Sequence, residues 1–167
     1  MNEIINKVAN SKLEVFDLED YFPKENILSL DIAQFLLEGF ILKEKDFRAA
    51  LKELDWNKYK DAYVTLFCST NAILPAWTYI LIASHLNLFS KFTIQGSPKD
   101  LLIAIYTEKL RDIDFSIYKD LPVILKGCSN MPVPQEVYVL AHQKIMPYAR
   151  SIMFGEACSA VPLFKKV

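Results

Sequence analysis

The chain has 167 residues, 19 of them basic and 20 acidic, and a formal net charge of −1. This balance argues against a nucleic-acid partner or an anionic membrane surface, because both select strongly basic surfaces. Hydrophobic residues make up 52% of the chain and aromatic residues 13%, so we expect one domain with a large core or an oligomer interface. The polar amino-terminal sequence lacks the apolar run of a signal peptide, which favours a cytoplasmic protein.

The first third of the chain mixes aromatic and acidic residues. Residues 1–26 are predicted to form an N-terminal arm, in which Phe16 and Tyr21 insert into the domain. Residues 28–42 are predicted to hold one or two strands, around 35–37 and 40–42. The apolar spacing that starts at Phe47 then predicts a helix over 45–54.

Strands and helices alternate over the rest of the chain. The predicted strands are 62–67, 91–95, 121–126 and 150–154, and the predicted helices are 74–88, 99–110 and 133–146. This alternation predicts the α/β class, with a mainly parallel sheet flanked by helices. Ligands of such sheets collect beyond the carboxyl ends of the strands. Residues 156–167 are predicted to be a short, apolar C-terminal tail.

Two segments of the chain align without a gap, at one constant separation. The aligned positions include Val64 and Val123, Pro75 and Pro134, Tyr79 and Tyr138, and Gly96 and Gly155. We therefore predict two tandem repeats of about 59 residues, at 37–96 and 97–155, related by an internal pseudo-two-fold axis. Because Asp55 and Asp114 occupy matching positions before an aromatic residue, we interpret both as helix or turn caps.

The stretch Ala62–Ser90 contains no charged residue, so a membrane helix must be considered. Its repeat partner carries Lys126, Glu136 and Lys144 at matching depths. A lipid-facing segment would not tolerate these charges, and both copies are better interpreted as buried parts of a soluble fold without a membrane partner.

The three cysteines are the strongest candidates for chemistry. Cys68, Cys128 and Cys158 each follow a predicted strand, and thiolates gathered at one sheet edge could hold zinc or an iron–sulfur cluster. Glu156 could supply a fourth ligand. No Cys-x-x-Cys pair supports this site. The alternatives are that the cysteines are small buried residues in turns, or that one is a reactive redox thiol.

The remaining polar residues favour structural roles. His85 and His142 lie in the two copies of one predicted helix, but at different positions, so we interpret both as partly exposed helix residues. Tyr79 and Tyr138 are predicted to be core residues with an anchored hydroxyl group.

Several segments together resemble one bacterial family across nearly the whole chain. They include Phe16-Asp17-Leu18-Glu19-Asp20-Tyr21, Lys126-Gly127-Cys128, Val133-Pro134, Ser151-Ile152-Met153-Phe154-Gly155-Glu156 and Val161-Pro162-Leu163. The chain resembles domain-of-unknown-function family 2480. The resemblance supplies no catalytic residues; it implies iron–sulfur assembly proteins as partners.

Three functions remain open from the sequence. The first is a metal- or iron–sulfur-binding accessory protein that uses Cys68, Cys128, Cys158 and Glu156. The second is a non-catalytic interaction protein, with the apolar excess as the interface of a homodimer. The third is a thiol-dependent enzyme that uses Cys128 or Cys68.

Overall fold

The computed structural model describes residues 13–127 and 130–167. The chain divides into two compact units: unit 1 contains Met1–Phe22, as far as it is described, and Ile103–Val167, and unit 2 contains Pro23–Leu102. Each unit has a hydrophobic core of its own. Phe16, Tyr106 and Val123 belong to the core of unit 1, and Phe47 and Val64 belong to the core of unit 2.

Strands and helices alternate along most of the chain. The strands are β1 (Glu14–Phe16), β2 (Ile27–Asp31), β3 (Tyr63–Phe67), β4 (Phe92–Gln95), β5 (Pro122–Lys126), β6 (Ser151–Glu156) and β7 (Ser159–Lys165). The helices are α1 (Glu44–Glu53), α2 (Ala76–Leu86), α3 (Pro98–Arg111) and α4 (Gln135–Ile145). The α/β class is confirmed, and the predicted strands and helices from residue 45 onward are found with small shifts at their ends.

The sequence predicted one mainly parallel sheet, whereas the described strands form two separate sheets. In unit 2 the order is β2-β3-β4, and all three strands are parallel. In unit 1 the order is β1-β5-β6-β7, in which the first three strands are parallel and β7 is antiparallel to β6. The difference arises from β1 and β2, because these short strands each join a different sheet, and short apolar runs do not reveal their partners.

Two local predictions also need correction. Residues 35–37 and 40–42 do not form the predicted strands: the strand β2 lies earlier, and a 3₁₀ helix follows it at Ile32–Phe35. Only an isolated bridge joins Leu37 to Ile41. Pro75 and Pro134 are the N-cap residues of α2 and α4 rather than residues of the first turn.

Aspartate side chains start all four of the described 3₁₀ helices. Asp17, Asp31, Asp55 and Asp114 each accept a hydrogen bond from the backbone N–H two residues later. The carboxylates are 2.9–3.0 Å from these nitrogens, a geometry typical of an Asx turn. The predicted capping role of Asp55 and Asp114 is thereby confirmed.

The longer helices are positioned by caps and by one buried face. Ser97 and Asp100 cap α3 reciprocally: Asp100 accepts from the Ser97 N–H at 2.8 Å, and the Ser97 hydroxyl accepts from the Asp100 N–H at 3.2 Å. Phe47 and Leu51 form the buried face of α1. None of the helices in residues 13–127 and 130–167 combines the length and apolar character needed to cross a bilayer.

The element order is the same in both units. Each contains a strand, a 3₁₀ helix, an α-helix, a second 3₁₀ helix and a strand–helix–strand segment, in that order; the α-helix of unit 1 is α3, whose residues up to Leu102 are counted with unit 2. The bounds of β3 and β5 are separated by the same interval in sequence as the bounds of α2 and α4. Unit 1 adds β7 to this order. The pseudo-two-fold axis and the tandem boundaries 37–96 and 97–155 stay predictions.

Candidate functional site

The carboxyl edge of the unit 1 sheet carries a cluster of charges. Lys126 ends β5, and its Nζ lies 2.5 Å from the Asp17 carboxylate and 3.9 Å from the Glu19 carboxylate. The hydrogen bond to Asp17 raises the pKa of Lys126; burial opposes this, and the negative charges of Asp17, Glu19 and Glu156 add to the increase. Lys126 is therefore held as an ammonium ion at neutral pH.

Glu19 also binds the backbone at Asn130 and Met131. Its carboxylate accepts hydrogen bonds from the backbone N–H groups of Asn130 and, at 3.3 Å, Met131. The carboxylates after β1 thus tie β1 both to the end of β5 and to the approach to α4. We interpret Asp17 as a positioning residue for Lys126, and Glu19 as a positioning residue for the backbone at Asn130 and Met131.

Gly127 is required by the ring of Phe154. A Cβ atom at Gly127 would lie 2.8 Å from the ring edge of Phe154, closer than carbon atoms can pack. The ring of Phe154 in turn packs edge-on against Tyr138 of α4, with the ring centroids 5.5 Å apart. The missing side chain at Gly127 therefore lets β6 place an aromatic ring beside α4.

These rings belong to an apolar groove between α4 and the β6–β7 hairpin. The groove has a volume of about 350 Å³, which lies at the lower end of the range of ligand pockets. Leu125, Tyr138, Val139, His142, Phe154 and Leu163 line it. Leu125 is fully buried at the base of the groove, whereas Val139 of α4 and Leu163 of β7 are exposed at its rim. We call this feature the groove.

The core beneath this edge is rigidly anchored. The buried Tyr106 hydroxyl donates a hydrogen bond to the Leu18 carbonyl oxygen at 2.8 Å, and burial raises the pKa of Tyr106 well above its ordinary value. Tyr106 is therefore neutral at all physiological pH values and joins α3 to the segment after β1 as a fixed donor.

Unit 2 has a different set of side chains at the corresponding edge. Asp31 accepts a hydrogen bond from the Ser69 N–H at 3.0 Å. Burial alone would raise the pKa of Asp31, but hydrogen bonds from Ser69 and Ala33 together lower it. The Cys68 thiol lies 3.3 Å from the Thr70 hydroxyl, which lies 2.6 Å from the Gly39 carbonyl oxygen. The polar side chains at this edge therefore mainly stabilise the turns that follow β2 and β3.

The predicted metal ligands lie in different environments. Cys68 is half-buried after β3 in unit 2, and Cys158 is exposed in the turn between β6 and β7 in unit 1. Glu156 ends β6 and acts electrostatically on Lys126. Cys128 lies outside the described residues. Within the described part of the chain, no three His, Cys, Asp or Glu side chains are grouped so that they could hold a metal ion.

The two histidines differ in their surroundings. His85 is stacked on the indole ring of Trp56, with an interplanar angle of 5° and a centroid distance of 4.9 Å. His142 is half-buried and lines the groove. The interpretation of both as partly exposed helix residues is confirmed, but sequence reasoning missed the position of His142 in the groove.

Sequence reasoning also missed the charge cluster and the groove. The signal was present in the aligned segments, where Lys126 and Gly127 replace Phe67 and Cys68. A lysine that ends a buried strand needs a partner, yet its partner Asp17 lies 109 residues away. Because the two residues are so far apart in the sequence, no local pattern predicts that they pair.

Comparison with known proteins identifies the family alone. No curated protein and no solved structure matches this chain. The model of the family described as "Protein of unknown function (DUF2480)" matches residues 2–166. Because this match covers essentially the whole sequence, the chain belongs to the DUF2480 family.

Proposed function

We propose that the protein binds a small, uncharged and largely apolar ligand in the groove of unit 1. The observation that carries this proposal is the groove itself: about 350 Å³ between α4 and the strands β5, β6 and β7, lined by three rings and three aliphatic side chains. A concave, mainly apolar lining with few polar groups is typical of small-molecule sites.

The lining indicates the chemical class of the ligand. Phe154, Tyr138 and His142 offer ring surfaces, which favours a planar aromatic group. The imidazole of His142 can make one hydrogen bond to a polar group on the ligand. A charged ligand is disfavoured because its charge would lose water against an apolar lining.

Unit 2 offers no equivalent site. At the positions that align with Phe154 and His142, it has Gln95 and Ala83. Among the described strands, unit 2 also has no counterpart of β7, which supplies the Leu163 rim. We therefore assign one ligand to each chain.

The charge cluster favours binding over catalysis. A lysine nucleophile acts as the neutral amine, whereas the pKa of Lys126 is raised by its hydrogen bond to Asp17. Lys126 therefore serves the groove indirectly, by holding the end of β5 together with Asp17 and Glu19.

The proposal can be tested with the uncharged fluorescent probe N-phenyl-1-naphthylamine, whose emission rises in apolar sites. We expect saturable binding to the wild-type protein. Val139→Glu places a charge on the rim of the groove and should weaken binding at least tenfold, since an unpaired charge opposes an apolar ligand. Ile80→Glu is the matched control, because Ile80 occupies the equivalent position of α2 and is similarly exposed, at 64% against 60% for Val139.

Either of two results would overturn this assignment. The wild-type protein could fail to bind the probe, or Val139→Glu could bind it as tightly as the wild type. If Ile80→Glu weakens binding and Val139→Glu does not, the apolar site lies in unit 2 and the groove is not the ligand site.

The metal and thiol hypotheses stay predictions. Zinc or an iron–sulfur cluster on Cys68, Cys128, Cys158 and Glu156 would make the protein an accessory of iron–sulfur assembly, as the family resemblance implied. A thiol-dependent enzyme would instead use Cys128 or Cys68. Neither hypothesis gains support from the described residues, and the metal hypothesis is addressed by a separate experiment below.

We also infer that the two units are copies of one repeated module. Three kinds of matched position support this inference. Asp55 and Asp114 cap equivalent 3₁₀ helices. Asp61 and Asp120 both adopt positive φ, at 56° and 57°. Their N–H groups donate to the carbonyl oxygens of Phe89 and Tyr148, which are again aligned positions of the two segments.

A further inference from the structure

An unusual surface lies on the outer face of α2 in unit 2. The buried face of this helix consists of Thr78, Ile82 and Leu86. The opposite face carries Trp77, Ile80 and the small Ser84, all exposed. The helix is therefore apolar on both sides, a pattern typical of helices that are covered on both sides.

The exposed apolar surface continues beyond both ends of α2. Ile73, before the helix, is 99% exposed, and Leu88, after it, is 79% exposed. Trp77, Ile80, Ser84 and Leu88 follow helical spacing, whereas Ile73 lies in the segment before the extended N-cap residue Pro75. We call these five exposed residues the α2 stripe. Exposed apolar side chains that group in this way mark interaction sites.

The equivalent helix of unit 1, α4, shows that a helix at this place in the fold does not need an apolar outer face. At the positions of Ala76, Trp77 and Ser84, α4 has Gln135, Glu136 and Gln143, as expected of a surface helix. The α2 stripe is thus a property of α2 and not of the fold.

We propose that the α2 stripe binds the same stripe of a second copy of this chain, as an antiparallel helix pair on a two-fold axis. The charge pattern favours this occupant, because residues 62–90 contain no Asp, Glu, Lys or Arg. The stripe therefore offers nothing to a charged partner. A two-fold contact places identical surfaces together, and an uncharged surface does so without like-charge repulsion.

The sizes of the side chains also fit a second copy. With the two-fold axis midway between Ile80 and Ser84, Ile80 lies against Ser84 of the second copy, and Leu88 lies against Ala76 of the second copy. Ile80 and Leu88 then each meet a small residue, which allows the two helices to approach closely. The Ser84 hydroxyl already donates to the Ile80 carbonyl oxygen at 2.8 Å, so its burial leaves no unpaired donor.

A polar group stands at the edge of the stripe. The Arg48 guanidinium lies 5.8 Å from the centre of the Trp77 ring and pairs with Glu44 at 2.8 Å. An apolar centre with a polar margin is the usual composition of an interface. One helix face covers less than the roughly 800 Å² per partner of a standard interface, so we expect a reversible dimer.

Sedimentation velocity of the full chain tests this proposal over a range from about 1 to about 200 µM, which spans weak association. We expect the wild-type protein to shift from monomer to dimer within this range. Ile80→Glu should remain monomeric, because it would bring two carboxylates into the apolar contact. Val139→Glu, at the equivalent position of α4, should dimerise like the wild type.

Two outcomes would overturn the dimer. The wild-type protein could remain monomeric throughout, or Ile80→Glu could dimerise as strongly as the wild type. Far-ultraviolet circular dichroism checks that Ile80→Glu is folded, since unfolding would remove the signal of the helices and strands.

The register of the pair has its own test. In a chain whose three native cysteines are serine, Ile80→Cys combined with Ser84→Cys should form an intermolecular disulfide on oxidation, since the proposed register places these positions opposite each other. Val139→Cys combined with Gln143→Cys is the matched control in α4 and should not. Equal cross-linking of both double variants would contradict the proposed register. The proposal does not depend on the ligand groove, and the two fail independently.

Discussion

At the residue scale, equivalent aspartates of the two units have different hydrogen-bond partners. Asp17 and Asp31 each cap a 3₁₀ helix that follows a first strand. Asp17 also pairs with Lys126 at 2.5 Å, whereas Asp31 accepts from the Ser69 N–H instead. One carboxylate thus anchors a charged side chain, and the other anchors a backbone turn.

Asp31 gives a prediction about pH. Hydrogen bonds outweigh burial and lower the pKa of Asp31 in the folded protein. A lowered folded pKa means that the ionised group stabilises the protein above its unfolded pKa of about 3.9, and that this stability is lost as the pH falls through the folded pKa. The free energy of unfolding of Asp31→Asn should therefore lie below that of the wild type at pH 7, and the difference should shrink toward pH 2.

Urea unfolding followed by tryptophan fluorescence measures this effect in unit 2, which contains both tryptophans. The matched control is Asp112→Asn, which changes an exposed carboxylate of unit 1. A difference between Asp31→Asn and the wild type that stays constant from pH 7 to pH 2 would contradict the assigned role of the Asp31 charge.

Gly127 gives a second prediction at this scale. In Gly127→Ala the new methyl group would lie 2.8 Å from the Phe154 ring, so the ring must move. We expect a loss of stability of about 1–3 kcal/mol, the usual effect of overpacking, together with weaker binding of N-phenyl-1-naphthylamine. Thermal unfolding followed by circular dichroism measures the first effect, and probe titration measures the second.

Phe154→Leu supplies the control for this clash. If contact with the ring is the cause, combining Phe154→Leu with Gly127→Ala should cost less stability than the sum of the two single changes. Additive losses would show that the Gly127 backbone conformation, and not the ring, is responsible.

At the element scale, local pattern predicted most of the secondary structure. The helix of α1 was predicted because its apolar residues follow helical spacing, and β3 and β5 were predicted because short apolar runs precede turn residues. The run 28–42 gave no clear period, so β2 and the 3₁₀ helix after it were missed. The 3₁₀ helix starts through Asp31, a side-chain hydrogen bond that a search for hydrophobic period does not detect.

Strand pairing and the groove could not be read from the same patterns. β1 pairs with β5, so that Phe16 lies beside Leu125, which comes far later in the chain. The groove combines Leu125, Tyr138 and Phe154 with Leu163 of β7. Since β7 falls in the segment predicted to be a tail, a rim of the candidate site was absent from the prediction.

At the scale of the whole molecule, the two proposals belong to different units. The ligand groove lies in unit 1 and the α2 stripe in unit 2. Val139 and Ile80 occupy aligned positions on equivalent helices. Each substitution by glutamate is therefore the control for the other, which assigns any change in ligand binding or association to one unit.

The metal hypothesis is also a prediction about the whole molecule, because its ligands come from both units. Cys68 follows a strand of one sheet, Cys158 lies in a turn of the other, and Cys128 is outside the described residues. Thiolates that share zinc must all lie within about 2.3 Å of it. The hypothesis therefore predicts roughly one zinc ion or one iron–sulfur cluster per chain in protein purified without oxygen, measured by elemental analysis.

Replacing Cys68, Cys128 or Cys158 singly by serine should then lower both the metal content and the melting temperature, since binding energy at such a site is also folding energy. Cys158→Ser is the most informative variant, because Cys158 is exposed: without a metal, its loss removes no buried contact and should leave the melting temperature unchanged. A structural metal site would be filled in the purified protein. A metal content below about a tenth of an ion per chain would therefore contradict the hypothesis.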